Sequence, residues 1–279
     1  MNANRTSSII WVARNARLNL GLTFGAITLF FWILVAVLAP ILPFQSAFSM
    51  DVMAIAAPEP SQAHWLGVDT KGRDLLARIA WGARYVLAIA PIGLFVGYVL
   101  GIVLGSLAAY FGGVIDVIIS RLSETILAFP TILLYILLIA TIGPSVTNIL
   151  IAIIVSTVPP ASRIVRGLVL EVVAKPYVSA AKLRGESVAY IIAVEILPNI
   201  ARTILTDACL RFGWIILSIG SLGFLGLGLP PPTPDWGGMI REGITVIMVW
   251  PHMAVVPCLA LASLVVSVNL IADGLTRSR

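Results

Sequence analysis

Long stretches without any charged residue alternate with short charged stretches along the chain. Five runs contain no Asp, Glu, Lys or Arg, and they cover residues 18–50, 85–115, 125–162, 212–234 and 243–272. Each run is long enough to cross a bilayer as a helix, which takes about 20 apolar residues. Gly143-Pro144-Ser145 divides the third run, because glycine and proline together interrupt a helix. The pattern predicts an all-α membrane protein with six transmembrane helices.

Short polar segments separate the predicted spans and divide the chain. The spans are expected at about 20–43, 84–110, 116–142, 145–166, 203–229 and 250–272. The pattern also predicts an N-terminal segment, a first transmembrane helix, an outer segment, a core of spans two to six with a polar loop inside it, and a tail. These cover 1–19, 20–43, 44–83, 84–275 with its loop 171–202, and 276–279.

The outer segment 44–83 ends in an amphipathic stretch. Leu75, Leu76, Ile79 and Ala83 share one helical face. An amphipathic stretch of this length predicts a short helix that lies along the outer membrane surface.

The positive charges near the helix ends predict the orientation of the spans. With a cytoplasmic N-terminus, twelve basic residues fall inside: Arg5, Arg14, Arg17, Arg121, Arg163, Arg166, Lys175, Lys182, Arg184, Arg202, Arg277 and Arg279. Five fall outside: Lys71, Arg73, Arg78, Arg84 and Arg241. Because cytoplasmic segments carry the excess of Lys and Arg, both termini are predicted to be cytoplasmic.

Composition excludes several classes of function. Hydrophobic residues make up 59% of the chain and charged residues 11%, against about 25% charged in a soluble domain. The net charge of +5 gathers at helix ends and forms no basic patch with interleaved aromatic residues, so no nucleic acid is expected. Cys209 and Cys258 lack metal-ligand spacing, and His64 and His252 are isolated in sequence. We therefore predict no metal site, no catalytic residue and no enzyme.

Span two carries four glycines at strict i+4 spacing. Gly93, Gly97, Gly101 and Gly105 place a smooth stripe along one helix face. Small residues at this spacing let another helix approach closely. The stripe is expected to pack against a helix of the same subunit, and a subunit interface or a moving surface is the alternative.

Span five contains the candidates for the translocation path. Its outer end is rich in glycine and is followed by three prolines, which predicts an irregular backbone that is either a gate or a structural helix end. Asp207 and Arg211 lie four residues apart inside the span, where charges are functional candidates. Arg121 and Glu124 in span three are expected to form a structural pair. The gate candidates are Gly223, Phe224, Gly226 and Gly228.

The chain offers few means of doing work inside the bilayer. Gly67 and Gly72 have the spacing of a phosphate-binding loop, but Arg73 and Asp74 replace its essential Lys and Ser or Thr. A secondary transporter is expected to carry carboxylates or broken helices near the midplane of two related halves, and no such repeat is visible. The energy for transport is therefore expected to come from a partner protein.

The polar loop 171–202 has a distinctive local pattern. Pro176 fits the first turn of a short helix, Gly185 fits its end, and a second apolar helix follows until Pro198. Small residues are grouped between Pro176 and Gly185, where they let another surface approach. Two short helices that meet at a glycine are expected to form a compact knob on the cytoplasmic face.

This loop resembles the coupling loop of a known family. Tyr177-Val178-Ser179-Ala180-Ala181-Lys182-Leu183-Arg184-Gly185, followed by Ile196-Leu197-Pro198-Asn199, is similar to the signature of membrane subunits of binding-protein-dependent ATP-binding-cassette (ABC) importers. Further segments resemble the dipeptide, oligopeptide and nickel branch of that family. They are His64-Trp65-Leu66-Gly67-Val68-Asp69, Gly72-Arg73-Asp74, Gly82-Ala83-Arg84, Ala109-Tyr110-Phe111-Gly112-Gly113, Leu127-Ala128-Phe129-Pro130, Arg163-Ile164-Val165-Arg166-Gly167, Phe224-Leu225-Gly226-Leu227-Gly228, Pro232-Thr233-Pro234-Asp235-Trp236-Gly237 and Asn269-Leu270-Ile271-Ala272-Asp273-Gly274-Leu275.

The resemblance implies a fold, a function and a set of partners. It implies the type I ABC importer permease fold in the bacterial inner membrane, surrounded by lipid, with this chain as the C-type subunit. A second, B-type permease would complete a path for dipeptides or oligopeptides delivered by an extracytoplasmic solute-binding protein. Two ABC ATPase subunits would bind ATP and Mg, and this chain would bind no cofactor. Import of nickel or another small solute, and less favoured, secondary transport, are the alternatives.

The resemblance also assigns the coupling residues and shows two departures. The residues expected to couple to the ATPase are Ser179, Ala180, Ala181, Lys182, Arg184 and Gly185. Ser179 stands where the family usually has Glu, so a salt bridge to the ATPase cannot form there, and docking is expected through Ala180, Ala181 and the glycine. Ile219 stands where the family often has an acidic residue.

Overall fold

The computed structural model describes residues 3–41 and 47–277, with side chains for 20–41 and 47–274. The side chains of the N-terminal segment 1–19, the last residues predicted for span one (42–43) and the end of the tail lie outside the described residues. Of the predicted cytoplasmic positive charges, the side chains of Arg5, Arg14, Arg17, Arg277 and Arg279 are therefore not described.

The described residues form ten α-helices, and the only β-type pairing found among them is an isolated bridge between Val68 and Asp74. The helices are α1 (Ala3–Leu38), α2 (Leu75–Phe111), α3 (Gly113–Leu127), α4 (Thr131–Ile142), α5 (Val146–Val173), α6 (Pro176–Leu183), α7 (Val188–Tyr190), α8 (Leu197–Phe224), α9 (Trp236–Ile244) and α10 (His252–Arg277). A 3₁₀ turn covers Ala54–Ala56, and a π-helical segment, Ile191–Ile196, joins α7 to α8.

Among the described residues, five helical stretches are long and apolar enough to cross a membrane. They are Leu20–Leu38, Leu75–Phe111, Val146–Val173, Val188–Phe224 and His252–Gly274. The pair α3 and α4 passes the same test when taken together, which gives up to six spans. The all-α class is confirmed, and the protein is a multi-pass membrane protein.

The third span is not the continuous helix 116–142 predicted from the sequence. Its two halves, α3 and α4, are bent by 88° at Ala128–Pro130. Pro130 has no N–H to donate, and a proline disfavours helical geometry at the residue before it. The prediction of a straight span was wrong because this single proline was not weighed as a break.

The prediction of a short interfacial helix before span two is also wrong. Leu75, Leu76, Ile79 and Ala83 belong to the first turns of α2, which runs without interruption to Phe111. At about 1.5 Å per residue its 37 residues extend about 55 Å. This exceeds the hydrocarbon core of about 30 Å, so the helix continues beyond it.

Pro198 does not end the second helix of the polar loop. The helical backbone continues from Val188 through the π-helical segment into α8, which ends at Phe224. The π-helical turn immediately precedes Pro198, and in it the Leu197 N–H donates to the Ile192 carbonyl. Because the π-helical turn shifts the backbone hydrogen-bond register just before Pro198, the chain accommodates the proline and stays helical.

The chain divides into two compact units. Unit 1 comprises Met1–Leu87 and Phe212–Arg279, as far as they are described, and unit 2 comprises Ala88–Arg211. In unit 1, α10 packs against α1 and against α9. Gly25 makes the first contact close, since a Cβ there would lie 2.7 Å from the Ser267 carbonyl oxygen. In the same unit the Trp32 indole donates to Ser263 Oγ at 2.9 Å.

Unit 2 contains α3 to α7, most of α2 and the first half of α8. In it α5 packs against α3, α4 and α6. Its apolar core joins α2, α5, α6 and the helical stretch from Ile191 to Ile204. This core fixes the position of the loop between α5 and α8.

Candidate functional site

The loop between α5 and α8 folds as a helix, a glycine turn and a second helix. Pro176 occupies the first turn of α6, where its missing N–H costs nothing. Gly185 adopts φ +78°, a left-handed conformation that favours glycine, and directs the chain away after α6. Ser187 then caps α7 by accepting from the Tyr190 N–H at 3.2 Å.

One face of α6 is buried in the apolar core of unit 2. Val178 and Ala181, three residues apart, have no exposed surface. They share a cluster with Val165 and Val169 of α5 and with Ala109 of α2. Helix α6 is therefore anchored to the membrane-spanning helices by its own side chains.

The opposite face of α6 is open. Leu183 is 90% exposed, and Ser179, Ala180 and Lys182 are also exposed. Ala181 is buried, because its position three residues after Val178 turns it inward, and its part in docking stays a prediction. Leu183 is the most exposed large apolar side chain of α6.

Lys182 and Arg184, two of the basic residues of the loop, contact groups within the chain. The Lys182 ammonium lies 4.8 Å from the centre of the Tyr110 ring, near the end of α2. Arg184 lies 3.5 Å from Glu186 and 3.3 Å from Glu195. The first contact adds a cation–π interaction to the apolar link between α6 and α2.

The glycine stripe of α2 faces α5 within unit 2. A Cβ at Gly93 would lie 2.6 Å from Ile153, and one at Gly97 would lie 2.7 Å from Thr157. At Gly101 the nearest atom is the Ala161 Cβ at 2.6 Å, and at Gly105 it is the Ser162 carbonyl oxygen at 2.5 Å. These positions advance by about one turn on each helix, so the two backbones approach closely over about three turns.

Asp207 and Arg211 form an ion pair in α8, with 2.8 Å between Arg211 Nε and Asp207 Oδ2. The Tyr98 hydroxyl of α2 donates a hydrogen bond to the same carboxylate oxygen. Both charged side chains are mostly buried, so the tyrosine fixes the carboxylate from a second helix. Tyr98 was not predicted, because nothing in the local sequence shows which tyrosine reaches a residue 109 positions away.

Span three and α5 are joined by an ion pair that the sequence did not reveal. Asp116 of α3 accepts from Arg166 at both oxygens, at 2.5 and 2.6 Å, and from Ser120 Oγ at 3.1 Å. The predicted pair of Arg121 and Glu124 is present at 3.2 Å on the exposed face of α3. An exposed pair of this kind contributes about 0–1 kcal/mol.

The glycine-rich end of α8 encloses a carboxylate in unit 1. Helix α8 ends at Phe224, and Gly226 follows with φ +83°. A Cβ at Gly223 or Gly228 would lie 2.1 or 2.0 Å from Asp235 Oδ2. Two of the gate candidates thus make room for Asp235, and Gly226 lies against the Arg241 guanidinium, 2.8 Å from the position of its Cβ.

Asp235 is buried and caps α9. Its carboxylate accepts from the Gly237 N–H at 3.2 Å. Burial raises the pKa of the Asp235 carboxyl to about 6, although the backbone N–H groups of Gly237, Gly238 and Leu229 act in the opposite direction. The sequence contained a signal for this cap, since Asp235 precedes Trp236 and two glycines. It contained no signal that Gly223 and Gly228 would surround the carboxylate.

A buried charge network holds the segment between α1 and α2 against α9 in unit 1. Asp69 Oδ2 lies 2.6 Å from Arg73 Nε and 3.3 Å from Arg78 Nε. Glu242 of α9 accepts from Arg73 at 3.0 Å and from Lys71 at 2.8 Å. The charges of this segment are therefore compensated inside unit 1.

His64 has a carboxylate partner, contrary to the expectation from its isolation in sequence. Its Nδ1 lies 2.8 Å from Asp74 Oδ2, and its Nε2 lies 3.5 Å from Asp51. Hydrogen bonds from the backbone N–H of Ala54 and from His64 lower the pKa of Asp51. The described residues hold no group of three His, Cys, Asp or Glu side chains arranged for a metal ion.

Comparisons with known proteins point to one family. A family model described as "Binding-protein-dependent transport system inner membrane component" matches residues 101–278. The glutathione transport system permease protein GsiD of Pectobacterium atrosepticum is 39% identical over 216 residues, which cover 77% of this chain and 72% of that relative. The dipeptide transport system permease protein DppC of Alkalihalophilus pseudofirmus is 38% identical over 251 residues, which cover 90% and 82%.

Proposed function

Because the chain belongs to the family of binding-protein-dependent transport system inner membrane components, we propose that it is one of two permeases in an ATP-driven importer of short peptides. The names of its relatives support the substrate class, since one transports dipeptides and the other the tripeptide glutathione. The family match covers residues 101–278, which run from the last part of α2 to the end of α10.

The proposed complex supplies what this chain lacks. A second permease completes the translocation path, two ABC ATPase subunits bind ATP and Mg, and a solute-binding protein delivers the peptide. The chain lies in the bacterial inner membrane with both termini and the α6 loop in the cytoplasm. The distribution of Lys and Arg in the sequence supports this orientation.

The two faces of α6 carry the proposal for coupling. Val178 and Ala181 belong to the same apolar core as residues of α2, α5 and α8. The exposed side of α6 presents Leu183 to a partner. A displacement of α6 by the ATPase is therefore passed to three membrane-spanning helices, because a close-packed core moves as a body and does not deform continuously.

Alternating access follows from this arrangement. Closure of the ATPases on ATP favours the outward-facing state, and their separation favours the inward-facing state. Partners can shift this equilibrium only by as much as they bind the two states differently. Ser179 contributes no charge to the docking contact, so the apolar contact through Leu183 carries more of the binding than in relatives with Glu at that position.

Transport of dialanine and glutathione into proteoliposomes tests the proposed activity. With both permeases, both ATPases and the solute-binding protein, we expect uptake that requires ATP and stops when the ATPases are omitted. A secondary transporter would retain uptake without ATPases. Import of a nickel chelate but of neither peptide would favour the alternative substrate class, and a scaffold would support no uptake in any combination.

Cysteine crosslinking tests the orientation of α6. We expect Leu183→Cys to crosslink to the ATPase with a short bifunctional reagent, because this side chain is exposed. Ala181→Cys is the matched control on the same helix, and it should react at least about tenfold less because its side chain is buried. Equal crosslinking from both positions would contradict the proposed docking face.

A further inference from the structure

A small cleft with several polar residues in its lining lies between α3 and α5 in unit 2. It has a volume of about 170 Å³, several times the roughly 30 Å³ that a water molecule occupies. Its polar lining consists of Ser120, Ser123, Glu124, Ser162, Arg163 and Arg166. The cleft therefore has room for a charged terminal group of a small molecule, and its lining carries both signs of charge.

Arg163 is the cation in this cleft that has no carboxylate partner among the described residues. Arg166 is already held at both oxygens of Asp116. Arg163 forms no ion pair within 4.0 Å in the described part of the chain, and its side chain is exposed. An exposed guanidinium without a carboxylate partner in the described chain remains available to form charge-assisted hydrogen bonds with a ligand carboxylate.

The acidic group in the cleft selects among possible anions. Among the described residues the Glu124 side chain pairs with Arg121, and that pair is exposed and rearranges at little cost. The Glu124 carboxylate disfavours binding of a phosphate dianion in the cleft, because like charges close together repel each other. It accommodates an ammonium group, so the lining as a whole suits a zwitterion.

From this lining we infer that the cleft binds the charged end groups of a short zwitterionic peptide during transport. The peptide carboxylate pairs with Arg163 and accepts from the hydroxyl of Ser123, and Glu124 attracts the peptide ammonium. This inference rests on the proposed function and adds the residues that hold the substrate. A planar carboxylate matches the paired N–H donors of a guanidinium, which favours arginine over lysine at this position.

Binding of dialanine to the assembled transporter tests the cleft. The full complex in lipid nanodiscs, without solute-binding protein, is titrated with dialanine and with its C-terminal amide by saturation-transfer NMR. Arg163→Gln should raise the Kd for dialanine about tenfold, the factor that corresponds to about 1.4 kcal/mol. The Kd for the amide should change by less than about twofold, because the amide has no carboxylate to lose. Arg163→Lys should recover part of the dialanine affinity.

Two matched variants separate the cleft from general damage. Arg202→Gln removes an exposed arginine of α8 that does not line the cleft, and it should leave the Kd for dialanine within about twofold. Ser123→Ala should raise that Kd about threefold and guards against failure of the arginine variant to fold. The inference is overturned if Arg163→Gln weakens both peptides equally, if Ser123→Ala has no effect, or if inorganic phosphate competes more strongly than acetate.

The proposed function can fail separately. If the unaltered complex shows no ATP-driven dialanine uptake with its solute-binding protein, the proposed substrate class fails. If uptake is normal but dialanine does not bind without the solute-binding protein, or binds independently of Arg163, only the cleft fails. An arginine that instead pairs with a neighbouring subunit would show itself as loss of complex assembly in Arg163→Gln with unchanged peptide binding by the remaining complex, which also overturns the inference.

Discussion

Replacement of Gly97 by leucine should abolish assembly of the transporter. A Cβ at Gly97 would lie 2.7 Å from the Thr157 Cβ and 2.8 Å from its Cγ2. Real Cβ atoms do not approach other carbons this closely, so α2 and α5 would have to separate. Apolar surface gives little drive for association inside lipid, so the fit of the two helices determines whether they remain together.

Gly97→Ala provides a graded form of this prediction. Alanine favours a helix over glycine by about 1 kcal/mol, which would stabilise α2. Overpacking in a close interface costs about 1–3 kcal/mol and opposes that gain. We expect Gly97→Ala to lower the melting temperature of the purified complex, and Gly97→Leu to reduce the yield of assembled complex at least about tenfold.

Gly167 in α5 supplies the control for the glycine stripe. A Cβ there would meet no atom within 4 Å. Gly167→Ala should therefore preserve or raise the melting temperature through helix propensity alone. Size-exclusion chromatography after detergent extraction measures the yield, and a normal yield of Gly97→Leu would contradict the packing argument.

Introduction of an aspartate at Val178 is expected to uncouple transport from ATP hydrolysis. Val178 has no exposed surface and belongs to the cluster that joins α6 to α2, α5 and α8. A carboxylate buried there without a partner costs several kcal/mol, so α6 should leave the core. We expect dialanine uptake to fall at least about tenfold while the ATPase subunits still hydrolyse ATP.

Ser179→Asp is the matched control for this variant. It adds the same charge to the next residue of the same helix, but on the exposed side. Because the side chain at this position is exposed, the added carboxylate stays hydrated, so uptake should remain near the level of the unaltered protein. A loss of uptake as large as that of Val178→Asp would show that charge on α6 in general, and not burial of Val178, is responsible.

Local patterns foresaw several features because each depends on neighbouring residues. The charge-free runs predicted the spans, and the glycine at position 185 predicted the end of α6. The bend at Pro130 was also readable from local chemistry, but an apolar run hides a break when only its length is considered. The continuity of α2 was not predicted, because the amphipathic stretch around Leu75 was taken for a separate helix. A helix can change from amphipathic to uniformly apolar without ending.

Remote contacts could not be foreseen from the chain alone. The glycines around Asp235 were assigned to a gate, and in the folded chain two of them provide room for a carboxylate. Tyr98 and Asp207 lie 109 positions apart, and Asp116 and Arg166 lie 50 apart. The sequence is compatible with many pairings of charged and polar residues. The packing of the helices determines which of these pairings forms.

The sequence by itself determined that this protein is an all-α membrane protein with its few charges at helix ends and in one polar loop. It did so because lipid requires every span to be a long apolar helix, a condition that can be read in one dimension. Only the tertiary structure decided that Ala181 turns inward and Leu183 outward, and that Arg163 has no carboxylate partner among the described residues. These facts depend on which helix faces lie against each other, and that choice is made by the close packing of residues distant in the chain.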